Sequence, residues 1–180
     1  MNSDQWQIER CVALEGGCPN ALTGLEDLAG QLDTVVRDSG WAECVKAEPT
    51  DRAHRLHNRL RVALAACPNA CTQSQIRDIG VIASSRPDRV PASCAGCGQC
   101  AVACREGAIT MEDSLPKLDG GRCLGCGQCG KACPQKAMEM GELRFRVLVG
   151  GRLGRHPVWA MELPAMVGRA QVASVIAQLL

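Results

Sequence analysis

An α+β fold is predicted by three observations. Apolar residues alternate over 59–66 and again over 142–151, an apolar face of helical period runs over 22–40, and a cysteine-rich stretch between these patterns follows neither period. Residues 1–90 and 141–180 are therefore expected to build one split domain of strands and helices, and residues 91–140 a separate compact module within it.

The elements follow in chain order. Over "LTGLEDLAGQLDTVVRDSG", Leu22, Leu25, Leu28, Leu32, Val35 and Val36 share one helical face, and Thr23 with Glu26 has the spacing of a capping box. In "RLRVALAA" (59–66), Leu60, Val62 and Leu64 alternate with Arg61 and alanines, which predicts a half-buried strand. The Ser- and Pro-rich "SSRPDRVPAS" (84–93) is expected to be the linker into the module. Beyond the module, "ELRFRVLVGG" sets Leu143, Phe145, Val147 and Val149 against Arg144 and Arg146, so it is expected to pair back into the first domain before Gly150 and Gly151 turn the chain. A closing helix in "AMVGRAQVASVIAQLL" carries Val172, Val175, Ile176 and Leu179 as its apolar stripe.

Composition narrows the function classes. At 180 residues and 46% hydrophobic the chain can bury a core, but a net charge of +1 and 2% aromatics leave neither a basic footprint nor stacking platforms for nucleic acid. No apolar stretch is long enough to span a membrane, and "MNSDQWQIERC" has none of the marks of a secretory signal. Thirteen cysteines without such a signal point to metal or redox chemistry in a reducing compartment, so a cytoplasmic location is expected.

Eight of the cysteines identify an internal duplication. "CAGCGQCAVACREGAITM" (94–111) aligns with "CLGCGQCGKACPQKAMEM" (123–140) at every cysteine and at Gly96/Gly125, Gln99/Gln128 and Ala103/Ala132. Each copy reads C-x2-C-x2-C-x3-C; Pro134 follows the second, whereas Arg105 stands there in the first. Three closely spaced thiolates can wrap one face of an iron–sulfur cubane, and the intervening small residues let backbone amides reach the sulfurs. Zinc sites more often use two separated pairs, and disulfide lattices belong to secreted chains. The segment resembles two-cluster bacterial ferredoxins, in which the fourth cysteine of each run serves the other cluster. That resemblance implies one [4Fe-4S] cluster on Cys94, Cys97, Cys100 and Cys133, and a second on Cys123, Cys126, Cys129 and Cys104.

A different pair, Cys67 and Cys71, precedes the duplication in "ACPNACTQSQIRDIGVIA" (66–83). Pro68 fixes a turn there, and Asn69 and Ala70 are small enough to return the chain. Two thiolates do not complete a cubane, but Cys11 and Cys18 lie upstream around Gly16 and Gly17. The order of cysteine pair, helix, strand and C-x3-C, followed later by "VGGRLGRHPVWAMEL" (149–163), resembles the C-terminal half of the sulfite and nitrite reductases that couple a [4Fe-4S] cluster to sirohaem. With a two-cluster ferredoxin inserted, it is similar to dissimilatory and anaerobic sulfite reductase subunits in particular. The resemblance implies a third cluster on Cys11, Cys18, Cys67 and Cys71, with Cys71 bridging to the haem iron, and a cofactor-binding role for Asn69, Arg152 and Arg155.

Family members clasp the haem between two related halves, and this sequence begins about ten residues before its first cluster cysteine. The resemblance therefore implies a partner subunit, or a second copy, that completes the sirohaem site, besides a protein electron donor and sulfite or nitrite as substrate. The alternative is a haem-free carrier of several clusters that docks on a separate reductase. No catalytic residue is assigned. Cys44 is expected to be a small buried hydrophobe, His54 and His57 to lie on a solvated edge beside Arg52, Arg55, Arg59 and Arg61, and His156 to stand near the tetrapyrrole without ligating it.

Overall fold

The computed structural model describes residues 5–46, 59–89 and 93–180. In chain order its elements are β1 (Trp6–Arg10), α1 (Leu28–Asp38), α2 (Trp41–Lys46), β2 (Leu60–Ala65), β3 (Ile79–Ser84), β4 (Pro87–Arg89), α3 (Gln99–Ala103), β5 (Ile109–Glu112), β6 (Leu115–Leu118), α4 (Gln128–Ala132), β7 (Glu139–Met140), β8 (Arg144–Val149), β9 (Met161–Glu162), β10 (Val167–Gly168) and α5 (Val172–Leu179).

A mixed sheet runs β1-β2-β3-β8-β10, and β9 also pairs with β8. β1, β2 and β3 are parallel, with Trp6 opposite Leu60 and Val62 opposite Ile79, while β8 returns antiparallel to β3, with Val81 opposite Val147. One face carries Trp6, Ile8, Val62, Leu64, Val81, Phe145 and Val147 against Leu28, Leu32 and Val36 of α1 and Val172 and Ile176 of α5. Spacings of four along both helices keep these residues on one stripe. Each fully buried aliphatic side chain contributes about 1.5–3 kcal/mol, so this layer holds most of the fold's stability.

The opposite face is shallow, with Ala65, Ala70, Ile82 and Leu148 under Ala160. Loop 72–78 presses directly onto it. A Cβ on Gly80 would stand 2.5 Å from the Ser74 carbonyl oxygen, and one on Gly151 would stand 2.7 Å from that of Arg77. Glycine at both positions lets backbone lie on backbone.

Several expectations change here. β2 is buried at every position except Arg61 because it lies between two parallel neighbours, so it is not half-buried. α1 begins at Leu28, after Asp27 at φ 59°, which leaves Leu22 and Leu25 in the preceding turns; the expected capping box is replaced by a local bond in which Gly24 N–H donates to Glu26 Oε1 at 3.3 Å. The expected linker 84–93 is ordered at its start: Ser84 ends β3, Ser85 is buried, and β4 pairs with β7. Val172 and Ile176 of α5 are buried, whereas Leu179 is exposed. His54, His57, Arg52 and Arg55 lie outside the described residues. Cys44 is exposed, so it is not the buried hydrophobe expected.

Residues 93–140 repeat one local design. Gly98 and Gly127 both have φ 72° and each starts a five-residue helix, α3 or α4, that ends on Cys104 or Cys133. β5 pairs with β6, and the second copy's β7 pairs with β4, so each copy ends in a matching two-stranded ribbon. Ile109, Cys129 and Met138 form the core between the copies.

Candidate functional site

Parallel pairing of β1 and β2 brings the first two cysteines to one end of the sheet. Arg10 lies opposite Leu64, so Cys11 and Cys67 both emerge at the carboxyl ends of adjacent strands, where open α/β sheets commonly bind ligands. Cys11 N–H donates to Leu64 O at 3.1 Å, and Ala66 N–H donates to Cys11 Sγ at 3.3 Å. Loop 18–21 is tied to the same corner through Leu22 N–H, which donates to Ala66 O at 2.9 Å. After Cys67 the chain turns back through Ala70, at φ 46°, to Cys71.

Cys67 senses the other three thiols. Burial pushes the Cys67 thiol up, the amide of Asn69 opposes this, and the neighbouring Cys18, Cys71 and Cys11 push it further up. Like-charged thiolates that raise each other's pKa are stabilised when a cationic iron core draws in their electron density. Cys11 and Cys67 are buried, Cys18 is intermediate and Cys71 is exposed.

Two further quartets lie in 93–140. One cavity is lined by Cys94, Cys97, Cys100 and Cys133 together with Met111, Pro116 and Met138, and another by Cys104, Cys123, Cys126 and Cys129. Each set takes three cysteines from one repeat and the fourth from the other. Burial raises Cys100, with Cys94 and Cys133 adding to the rise, and burial pushes Cys129 up to about 11, with Cys123 and Cys126 as its charged neighbours. At Cys133 burial also pushes upward, but the amides of Met138, Ala137, Gln135 and Lys136 outweigh it and hold the thiol below its ordinary value. The repeats match here as well: Ala137 N–H reaches Cys133 Sγ at 3.2 Å, and Ala108 N–H reaches Cys104 Sγ at 3.3 Å. Amides aimed at sulfur tune an iron–sulfur centre. Among the described residues no three His, Cys, Asp or Glu side chains converge as a single-ion site.

Cys71 lines a cavity of about 440 Å³ together with Glu9, Arg10, Cys11, Glu15, Gln73 and Arg77, in which Arg10 Nη2 donates to Glu15 Oε1 at 3.4 Å. Arg77 Nε donates to Glu9 Oε2 at 2.6 Å and Nη2 to Gln73 at 3.2 Å, which holds its guanidinium in the wall. Asn69 instead lines the cavity of the second-repeat quartet, alongside Cys67. Arg152, Arg155 and His156 lie on an exposed loop, closed by paired bonds between Arg152 and Val158 and anchored where Ala160 N–H donates to Gln75 O at 2.8 Å. The sequence reading passed over Arg10 and Arg77. Arg10 directly precedes Cys11, which could have marked it; Arg77 could not be placed without the fold of loop 72–78.

Comparisons with known proteins show the family to which the chain belongs. The nitrite and sulphite reductase 4Fe-4S domain family matches residues 6–180. The coenzyme F420-dependent sulfite reductase of Methanocaldococcus jannaschii is 35% identical over 159 residues, covering 88% of this chain and 24% of that protein, so the chain spans about a quarter of its relative. The crystal structure of dissimilatory sulfite reductase I shares the fold, with a TM-score of 0.52 at 19% identity, covering 89% of this chain and 41% of that one. With a cysteine quartet at the carboxyl ends of its parallel strands, on an α+β sheet matched from Trp6 to the last residue, the chain belongs to the nitrite and sulphite reductase 4Fe-4S domain family.

Proposed function

We propose that this chain, as a subunit or relative of a sirohaem-dependent sulfite or nitrite reductase, relays single electrons to a cluster-haem centre. Cys94, Cys97, Cys100 and Cys133 would hold one [4Fe-4S] cluster, Cys104, Cys123, Cys126 and Cys129 a second, and Cys11, Cys18, Cys67 and Cys71 a third. Residues 91–140 would then be a two-cluster ferredoxin inserted into the split domain formed by 1–90 and 141–180.

One observation carries the haem part of this reading. Cys71 belongs to the third quartet and is also the exposed thiol in a cavity whose wall holds two guanidinium groups. Sirohaem would use such a wall: its iron needs an accessible thiolate, and its peripheral carboxylates would take up Arg10 and Arg77 in competition with Glu15 and Glu9, their present partners. Arg10 and Arg77 would bind those carboxylates, with Arg152 and Arg155 reaching in from the exposed loop, while Gln73 and Glu9 hold Arg77 in place. When bound, sirohaem supplies the iron at which an oxyanion is reduced. A partner subunit or second copy would cover the open side, and a cytoplasmic donor protein would supply electrons singly. The name of the Methanocaldococcus relative supports sulfite as the substrate.

The test is an anaerobic visible spectrum with iron and sulfide quantitation, on protein made in a host that synthesises sirohaem. A Soret band beside iron for three cubanes supports the proposal. Cubane absorption without a Soret band would overturn the haem part and favour the haem-free carrier that docks on a separate reductase.

A further inference from the structure

The two cysteine repeats align closely in sequence, yet they are attached to the rest of the molecule very differently. In the second repeat Lys131 Nζ donates to Pro19 O at 2.7 Å and Ala21 O at 2.8 Å, and Gln128 Nε2 donates to Asn20 Oδ1 at 3.2 Å. Both donors lie on α4, and all three acceptors lie in the loop just after Cys18. The position equivalent to Lys131 in the first repeat is Val102, which is 82% exposed. The glycines tell the same story. Gly96 of the first repeat faces Ser114, inside the insert, whereas Gly125 faces Ser84, the last residue of β3. Ser85 N–H donates to Gly125 O at 2.8 Å, fastening the second cysteine loop to the main sheet.

This asymmetry decides which quartet meets the third one. The cavity of about 350 Å³ that contains Cys104, Cys123, Cys126 and Cys129 is also walled by Asn20, Cys67, Pro68 and Asn69. The lining of the cavity with Cys94, Cys97, Cys100 and Cys133 comes entirely from within the insert. Electron tunnelling falls off steeply with the gap between centres, so a side chain that sets the gap sets the rate.

Building on the cluster assignment proposed above, we propose that Lys131 and Gln128 are positioning residues. They hold the Cys104, Cys123, Cys126 and Cys129 quartet against loop 67–69 as the inner station of the relay, and leave the Cys94, Cys97, Cys100 and Cys133 quartet as the outer one. With clusters bound, an external one-electron donor would reduce the centre held by the outer quartet, and the electron would pass to the inner quartet's centre and on to that of Cys11, Cys18, Cys67 and Cys71, each being reoxidised as the next is reduced, with no proton moved. A lysine ammonium shared between two carbonyls is a charge-assisted clamp that a neutral side chain does not replace.

The test uses the full chain with its clusters, reduced by dithionite and examined by low-temperature electron paramagnetic resonance. Lys131→Met, Gln128→Ala and the double variant are compared with Gln99→Ala, the equivalent exposed position of the first repeat, and with Lys131→Arg. The expected result is unchanged iron content, a weakened magnetic interaction between the inner and third clusters, and a several-fold slower reduction of the third cluster. Gln99→Ala should match the parent, and Lys131→Arg should recover most of the interaction. A double variant with full iron and an undiminished interaction would overturn the inference. So would Cys126→Ala, if it kept the third cluster's interaction while Cys97→Ala lost it. Iron for fewer than three cubanes in the unmodified chain would instead overturn the cluster assignment, and this inference with it.

Discussion

The indole of Trp6 donates to Asp33 Oδ1 at 3.0 Å, joining β1 to α1 across the core, and Arg37 pairs with the other carboxylate oxygen one turn along the helix. Asp33 is one of few buried polar residues among those described, and its partners keep it from being a buried unpaired charge. Asp33→Ala should therefore lower stability by about 1–3 kcal/mol, since the indole N–H loses this acceptor in the core. Asp33→Asn, which retains an amide oxygen, should lose less. Urea unfolding of both variants checks this, and equal losses would show that the bond does not fix α1 to the sheet.

Gly80 predicts a steric failure. Its φ is ordinary, so the constraint is the Ser74 carbonyl, 2.5 Å from where a Cβ would stand. Gly80→Ala should cost about 1–3 kcal/mol, in the range of overpacked cores. It should also lower iron content, because the displaced loop begins just after Cys71. A variant with parental melting temperature and iron would show that loop 72–78 yields freely.

Acid should weaken one clasp at the sheet edge. Arg146 donates to Glu162 through Nε at 2.8 Å and Nη2 at 2.5 Å, joining β8 to β9. The hydrogen bonds from Arg146 hold Glu162 below its ordinary value; burial opposes them, and the charges of Arg146 and Arg86 assist. A depressed folded pKa means that the unfolded chain binds the proton more readily. The stabilisation is thus present above the unfolded value of 4.5 and is lost as pH falls through the folded one. Because the pair is partly exposed, its worth is under about 1 kcal/mol and should shrink in salt. Glu162→Gln should flatten the acid limb of melting temperature against pH; an unchanged limb would locate acid sensitivity elsewhere.

Arg77 offers a test that separates the proposed haem site from the proposed cluster beside it. Arg77→Met keeps much of the aliphatic stem, removes the cation beside Cys71, and leaves Glu9 with Arg61 at 3.4 Å. Soret absorbance per iron should fall several-fold while iron per chain holds steady. A variant that keeps its Soret band at parental strength would remove Arg77 from the proposed tetrapyrrole wall.

How far the sequence was legible depended on whether the signal was local. β2 and β8 announce themselves because side-chain alternation needs no knowledge of neighbours, although the full burial of β2 comes from strands distant in sequence. The helix start was misplaced because Thr23 and Glu26 form capping-box spacing while the chain turns through Asp27 in the left-handed region, a choice made by packing Leu25 under the sheet. Ser84 and Ser85 looked like linker by composition, yet both are buried against the second repeat, with Ser84 Oγ donating to Leu124 O at 3.2 Å. The grouping of the cysteines came from the resemblance to ferredoxins and to sulfite and nitrite reductases, since spacing alone left Cys67 and Cys71 without two further partners. Arg77 was not legible, because its place beside Cys71 depends on a loop folding onto Gly80.

The insert leaves the sheet after Ser84 and rejoins it at Arg144, and these two residues face each other in the β3 and β8 register. Ser85 Oγ donates to Gly141 O at 2.8 Å, and Gly141 N–H donates to Arg86 O at 2.8 Å, so the strands on either side of the excursion are already sewn together at its base. Topologically the whole excursion occupies the place of a hairpin turn. Since loop-closure entropy grows only slowly with loop length, a turn can be exchanged for a cassette of this size with little penalty to the host sheet. The junction behaves as a socket: the host sheet closes on itself beneath whatever the excursion carries.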